Sequence, residues 1–221
     1  MAIKTVYKSK VGAGYKISEH FKLSEMACKD GTDKVLYSTD LMCKLEQLRA
    51  YGGFTITINS GYRSASHNKK VGGATNSQHT KGTAADIVVK KDGNAVSGKL
   101  VCCLCQSLGF KGIGYISDKA VHVDMRESGS YRGDERKGYS GNVGGNFYTY
   151  FGIKQSQIDA LKVKEEPKKK EEIKVENKAS EWAKESWEKA IAAGVTDGSR
   201  PQEPATRQEV ICMLDRLGLI K

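Results

Sequence analysis

A run of lysine and glutamate divides the chain into two unequal parts. Residues 162–179 contain seven Lys and five Glu with a single Pro. A segment of this composition has too little apolar surface to join a folded core, and is typical of a solvated linker or an exposed charged helix. We therefore predict a first domain over residues 1–161, a charged linker over 162–179 and a small module over 180–221.

Composition narrows the class of protein and its partners. The chain is 38% hydrophobic and 28% charged, which is typical of folded proteins. No apolar run is long enough to span a membrane, and residues 1–20 lack the apolar centre of a secretory signal, so we expect synthesis in the cytoplasm without a signal peptide. The net charge of +10 favours polyanionic partners, which include nucleic acid, anionic lipid and anionic cell-wall polymers, and charge alone does not choose among them. Nucleic acid is not expected, because no motif for it is present.

The six cysteines do not form a recognisable framework. Three of them lie in residues 102–105, where Cys102 and Cys105 form a single CxxC, and the second CxxC pair of a structural zinc site is absent. We expect buried free thiols rather than disulfides.

Hydrophobic periodicity predicts the elements of the first domain. Residues 39–53 have leucines at helical spacing and end in two glycines, and residues 54–60 alternate as a strand does. A polar loop over 64–82 leads to a second strand at 84–89, a short amphipathic helix at 97–110, and strands at 112–117 and 119–126. This order favours an α+β domain built on an antiparallel sheet. Residues 130–152 have no clear periodicity and receive no assignment.

Two histidines lie beside carboxylates in the predicted loop and strands. His79 lies in the loop and Asp86 follows near the start of a strand, while His122 and Asp124 are two apart and share one strand face. Two histidines and one carboxylate are the usual protein ligands of a catalytic zinc. On these residues alone, a loop histidine, a turn-capping aspartate and a core histidine are the favoured interpretation, because isolated His and Asp pairs are common.

The surrounding residues resemble a known family. Residues 60–89, SGYRSASHNKKVGGATNSQHTKGTAADIVV, and residues 121–126, VHVDMR, are similar to the M15-type zinc D-Ala-D-Ala carboxypeptidases and peptidoglycan endopeptidases of bacteria and phages. The family signature SxHxxGxAxD is matched by Ser77, His79, Gly82, Ala84 and Asp86, and a later histidine by His122. The resemblance implies a compact α+β fold, Zn²⁺ held by His79, Asp86 and His122, and action on peptidoglycan as an endolysin or autolysin does.

One position departs from the family pattern. In many relatives the catalytic base lies two or three residues before the last histidine, where this chain has Ala120 and Lys119. The resemblance therefore leaves Asp118 or Asp124 as the expected catalytic base. It also leaves an alternative function, a non-catalytic cell-wall-binding protein that keeps the fold and the metal.

The resemblance also implies two residues that bind substrate. Arg63 matches the residue that holds carboxylate or carbonyl groups of the substrate, and its planar guanidinium suits that contact. Ser77 is expected to add a hydrogen bond. An internal salt bridge is the alternative role for Arg63.

The last part of the chain predicts a helical hairpin. Its first helix ends at Gly194, and Thr206 with Glu209 forms a capping box for the second. Residues 180–221 resemble one S-layer-homology repeat, which implies binding of wall polymer through Arg207. Formation of a homo-oligomer through this module is the alternative, because so small a core is marginal alone.

Overall fold

The computed structural model describes residues 2–136, 139, 141, 143–163 and 184–194. The chain separates into two compact units, Met1–Lys164 and Glu165–Lys221. Within the described residues, no helix combines the length and the apolar character needed to cross a membrane. The finer boundaries of the predicted domains and linker stay a prediction.

The larger unit holds both strands and helices. Its strands are β1 (Ile3–Tyr7), β2 (Lys34–Ser38), β3 (Thr55–Ser60), β4 (Ala84–Lys91), β5 (Asn94–Ala95), β6 (Gly112–Tyr115), β7 (Val121–Asp124) and β8 (Tyr131–Asp134). Its helices are α1 (Leu23–Met26), α2 (Thr39–Gly52), α3 (Ala65–Lys70), α4 (Gly98–Ser107), α5 (Phe147–Phe151) and α6 (Gln155–Asp159). Strands β1 and β2 form a separate antiparallel ribbon.

The main sheet has the strand order β3-β4-β7-β6-β8, with β5 paired to β4. The α+β class is confirmed, and the strands predicted from periodicity are present. The expectation of an antiparallel sheet holds for every described pair except β6 and β8, which are parallel. This exception arises because the chain reverses after β7 and passes β6 before pairing, so that β8 runs in the direction of β6.

Helices α2 and α4 pack against one face of this sheet. The Ser38 hydroxyl caps α2 by accepting a hydrogen bond from the Leu41 amide, and α2 directs Leu41, Leu45 and Leu48 into the core, where none is exposed. Alternate residues of β4 and β7 face the same core. The opposite face of the strands is left for polar residues.

The cysteine cluster belongs to this core. Cys102, Cys103 and Cys105 lie on α4, are buried and are free thiols, as is Cys28. Burial raises the pKa of Cys103 to about 12, so this group stays a neutral, unreactive thiol. Cys43 differs from the expectation, because it is free but exposed.

In the smaller unit, the predicted first helix is present as α7 (Lys184–Ala192). Gly194 follows it with a positive φ of 68°, which ends the helix. The predicted second helix lies outside the described residues, together with Thr206, Arg207 and Glu209.

Candidate metal centre

Strand register places two of the candidate ligands side by side. Asp86 on β4 and His122 on β7 are direct cross-strand partners in the antiparallel pair. Directly opposed residues project from the same face of a sheet. Both side chains therefore project from the face of the sheet that α2 and α4 do not cover.

The third candidate ligand reaches this face from the loop before β4. The Nδ1 atom of His79 donates to the Gly61 carbonyl at 2.7 Å, and the His79 carbonyl accepts from the Arg63 amide. Gly82, three residues on, has φ +72°, and a Cβ there would lie 2.6 Å from the Leu36 backbone. Only glycine fits this turn, which returns the chain into β4.

The three side chains enclose a small triangle. His79 Nε2 lies 3.2 Å from His122 Nδ1 and 3.2 Å from Asp86 Oδ1, and His122 Nδ1 lies 3.0 Å from Asp86 Oδ1. Tetrahedral zinc with bonds of about 2.0–2.1 Å separates its ligand atoms by roughly 3.3 Å. The triangle therefore has nearly the size that this ion requires.

The hydrogen bonds around the triangle decide which ring nitrogens face inward. A carbonyl only accepts, so His79 carries its proton on Nδ1 and presents a lone pair at Nε2. His122 Nε2 faces the Asp124 carboxylate at 3.3 Å, so Nδ1 presents the lone pair. Two lone pairs and a carboxylate oxygen thus meet at one point, an arrangement that a cation stabilises.

The pKa values of His122 and Asp86 also indicate that positive charge stabilises the triangle. Burial lowers the pKa of His122, but hydrogen bonds to Asp124 and Asp86 outweigh it and raise the pKa to about 10. Burial raises the pKa of Asp86, yet hydrogen bonds from His122 and His79 bring it well below its usual range. Without a metal, the cluster retains a proton on His122, and a divalent cation takes the place of that proton.

Arginines neutralise the carboxylates behind the triangle. Arg63 Nη2 contacts Asp86 Oδ2 at 2.6 Å, and its Nε donates to the Ser60 hydroxyl at 2.8 Å. Asp86 therefore has one oxygen fixed by Arg63 and the other in the triangle. The internal salt bridge anticipated as an alternative role for Arg63 is present, and Arg63 also lines the pocket beside the triangle.

A second aspartate and arginine hold His122. Asp124 is fully buried and accepts from both Nε and Nη2 of Arg126, at 2.9 and 2.5 Å. Burial raises the pKa of Asp124, but hydrogen bonds from His122 and Arg126 outweigh it and hold the pKa at about 2. Asp124 is thus a permanently charged group that orients the His122 ring.

The catalytic base stays a prediction, and neither Asp118 nor Asp124 is among the residues that line the pocket beside the triangle. Asp118 lies in the turn between β6 and β7, where it accepts from the Ser97 hydroxyl at 2.7 Å, and it is not among the residues that line the pocket. Asp124 is inaccessible behind His122. Ser77 does line the pocket, although its hydroxyl also accepts from the His79 amide at 3.3 Å.

An open pocket of about 560 Å³ lies over the triangle. Three of its ionisable residues are not predicted from the sequence: Arg126, Tyr131 and Glu135. Arg126 lay within the quoted VHVDMR motif, and its spacing from Asp124 is the signal that could have identified it. Tyr131 and Glu135 fall in the segment without periodicity.

The comparisons with known proteins concern this same part of the chain. Residues 18–124 match the sequence model of a family described as Peptidase M15. A stretch of 47 residues is 51% identical to a zinc D-Ala-D-Ala carboxypeptidase from Streptomyces albus G. That stretch covers 21% of this chain and 18% of the length of that curated relative.

Proposed function

Residues 18–124 belong to the M15 peptidase family, and from this premise we propose that the chain is a zinc-dependent peptidase that hydrolyses peptide bonds of bacterial peptidoglycan. The observation that carries the proposal is the triangle of His79, Asp86 and His122, with both imidazole lone pairs directed inward. Two histidines and one carboxylate leave a coordination position open, as catalytic zinc sites do.

Zinc at this position supplies Lewis-acid chemistry, since it lowers the pKa of a coordinated water and polarises a peptide carbonyl. The protein supplies a fixed geometry for that chemistry. The Gly61 carbonyl and the Asp124 carboxylate hold the two imidazole rings, and Arg63 holds Asp86. Because these partners are in place before substrate arrives, little reorganisation is needed.

Charge in the pocket favours a substrate with an anionic or carbonyl group. Arg63 and Arg126 both line the pocket. The contacts described for Arg63 use Nε and Nη2, and its remaining N–H donors suit a carbonyl or terminal carboxylate of a peptide. Ser77, at the same wall, suits a further hydrogen bond to the peptide backbone.

The bond that is cut is either the D-Ala-D-Ala bond of a stem peptide or an internal bond of the stem or cross-bridge. The name of the Streptomyces relative favours carboxypeptidase action. An endopeptidase would have to accept peptide on both sides of the cut, and the pocket of about 560 Å³ over the triangle is the space available for it. Mass spectrometry of digested peptidoglycan distinguishes these two, because the fragment masses identify the bond.

We further propose an endolysin- or autolysin-like role, in which the protein acts on the wall after release from the cytoplasm by phage lysis or by non-classical export. The net charge of +10 supports attraction to anionic wall polymers. The C-terminal module would anchor the chain there through Arg207, or else join two copies. Sedimentation of the full chain with purified walls, compared with an Arg207→Ala variant, and light scattering of the free protein test these two roles.

The direct test of the peptidase function uses the purified chain with zinc. We expect it to release D-Ala from a peptide ending in D-Ala-D-Ala, or new amino groups from peptidoglycan sacculi, and His79→Ala to abolish this release. Absence of both products with a zinc-loaded protein would contradict the proposal, and would favour a wall-binding protein that keeps the fold and the metal without catalysis.

A further inference from the structure

The strands beside the metal centre carry glycines on the face that the ligands share. His122 is the cross-strand partner of Gly114 on β6, and Gly114 is the partner of Gly133 on β8. Asp86, His122, Gly114 and Gly133 therefore form one row across the sheet. On β8 and just beyond it, alternation places Tyr131, Gly133 and Glu135 on this same face.

The missing side chain at Gly114 makes room for a carboxylate. A Cβ built on Gly114 would collide with the Glu135 side chain, with Oε1 the nearest atom. The Glu135 carboxylate thus lies directly over Gly114, in the strand next to His122. Neighbouring strands are about 4.8 Å apart, which puts this carboxylate beside the metal centre without making it a ligand.

Two neighbours fix the position of this carboxylate. The Glu135 amide donates to the Tyr115 carbonyl at 2.9 Å, which continues the β6–β8 pairing. Burial raises the pKa of Tyr131, and the nearby Glu135 carboxylate raises it further, to about 12. The Arg126 guanidinium lies 5.1 Å from the centre of the Tyr131 ring. Arg126 in turn holds Asp124, so a continuous set of contacts joins Glu135 to the partner of His122.

Elimination also leads to Glu135. Among the described residues that line the pocket, the carboxylates are Asp86 and Glu135. Asp86 is committed to the metal and Arg63, whereas Glu135 is exposed to the pocket. A proton-transfer group must reach both the water and the leaving nitrogen. This favours Glu135, which lines the pocket, over Asp118, which does not, and over Asp124, which is buried.

We infer that Glu135 is the catalytic carboxylate of this site, an inference that rests on the proposed peptidase function. Glu135 accepts a proton from water as the water oxygen bonds to the carbonyl carbon of the scissile amide. The C–N bond then breaks with its electron pair remaining on nitrogen, and Glu135 returns the proton to that nitrogen. One water is consumed, one carboxylic acid and one amine are formed, and Glu135 is regenerated.

The test compares Glu135→Gln with Glu127→Gln in the full chain loaded with zinc. Glu127 is exposed, lies outside the pocket and loses the same charge. Proton transfer by a positioned side chain contributes about 10²–10⁴-fold, so we expect E135Q to lower kcat by at least about 100-fold. Zinc content by metal analysis and peptide affinity by calorimetry should be unchanged in E135Q, and E127Q should match the wild type in all three measurements.

Each other outcome overturns the inference in a distinct way. An E135Q enzyme with a raised KM and a normal kcat would make Glu135 a substrate-binding residue only. Loss of zinc from E135Q and also from Glu135→Asp would make it part of the metal centre. A wild-type protein that holds zinc at the triangle but cuts neither substrate would remove the peptidase function itself and the inference with it.

Discussion

The sheet face that carries the metal centre has two halves, which differ in their side chains and hydrogen bonds. On β4, β7 and the loop before β4, each metal ligand has a partner: His79 has the Gly61 carbonyl, His122 has Asp124, and Asp86 has Arg63. On β6 and β8, glycines lie in the same rows, and the Asp124 and Glu135 carboxylates lie over the two glycines of β6. We call the first group, on β4, β7 and the loop before β4, the ligand half, because its hydrogen bonds hold the metal ligands. We call β6 and β8 the open half, because their glycines leave space beside the metal centre.

This difference separates holding a metal from reaching a substrate. A metal centre requires ligands oriented to within a fraction of an ångström, which needs a dense set of outer hydrogen bonds. A proton-transfer group needs access to solvent and substrate, which only an uncrowded surface provides. Substitutions in the first half should therefore change zinc content, and those in the second should change turnover alone.

We expect the largest effect from His79→Ala, which removes one of the three metal ligands. Loss of a ligand should leave the protein without zinc after dialysis and should lower kcat/KM by more than the roughly 10–100-fold that the loss of an outer partner costs. Metal analysis and peptide hydrolysis measure both. His67→Ala is the control, because His67 lies outside the pocket and the metal cluster. Full zinc content in H79A would contradict the assignment of the ligand half.

Asp124→Asn removes the negative charge of the hydrogen-bond partner of His122 but leaves the three metal ligands unchanged. The chain offers a matched control, since Asp134 accepts from Arg136 with the same geometry as Asp124 accepts from Arg126. The Asp134 carboxylate accepts from the Tyr150 hydroxyl instead of facing a histidine. We expect D124N to lower zinc affinity by about 10–100-fold.

Asp134→Asn should leave zinc affinity unchanged, although both variants lose a well-buried ion pair and should melt at lower temperature. Competition with a chelator measures the affinity, and calorimetry the melting. Equal zinc affinity in D124N and D134N would show that Asp124 does not act through His122.

Gly114→Ala crowds the open half without touching a ligand. The new methyl group would occupy the space of the Glu135 carboxylate, which is the flexible end of a side chain and can move away at little cost in stability. Because misplacement of a reacting group by ~1 Å costs up to about 100-fold, we expect kcat/KM to fall by about tenfold. Zinc content should not change.

Gly12→Ala is the control for G114A, because a Cβ at Gly12 meets nothing within 4 Å. Steady-state kinetics with metal analysis on both variants decide the outcome. Loss of zinc from G114A, or full activity of G114A, would contradict the view that the open half affects turnover and the ligand half affects zinc content.

The smallest effect concerns stability after zinc is removed. The pKa of His122 rises from 6.5 to about 10 in the folded protein. Its stabilising contribution is therefore complete below pH 6.5 and is lost as the pH rises towards 10. We expect the chelated protein to melt at lower temperature at the alkaline end of this range, and the zinc-loaded protein to show a weaker dependence. Identical pH profiles for the two forms would contradict the account of the triangle.

The ligand half could be predicted from sequence because its information is local. The segment from Ser77 to Asp86 carries its own turn residue, Gly82, and strand alternation puts His122 and Asp124 on one face. The helix with Leu41, Leu45 and Leu48 was likewise visible from its period. What spacing could not give was the pairing of β4 with β7, which brings Asp86 opposite His122.

The open half could not be predicted because it depends on strand pairing. Strand β8 has four residues and joins β6 in parallel at the edge of the sheet, so neither length nor alternation reveals it. Glu135 gains its place only through that pairing and through the absence of a side chain at Gly114. Sequence alone favours Asp118 or Asp124 as the base, because both lie near His122 along the chain.

Anomalous diffraction at the zinc absorption edge, from crystals of the purified chain, shows directly whether His79, Asp86 and His122 bind zinc. We expect one strong peak bonded to His79 Nε2, Asp86 Oδ1 and His122 Nδ1 at about 2.0–2.2 Å. A peak outside this triangle, or a peak bonded to the opposite ring nitrogen of either histidine, would contradict it.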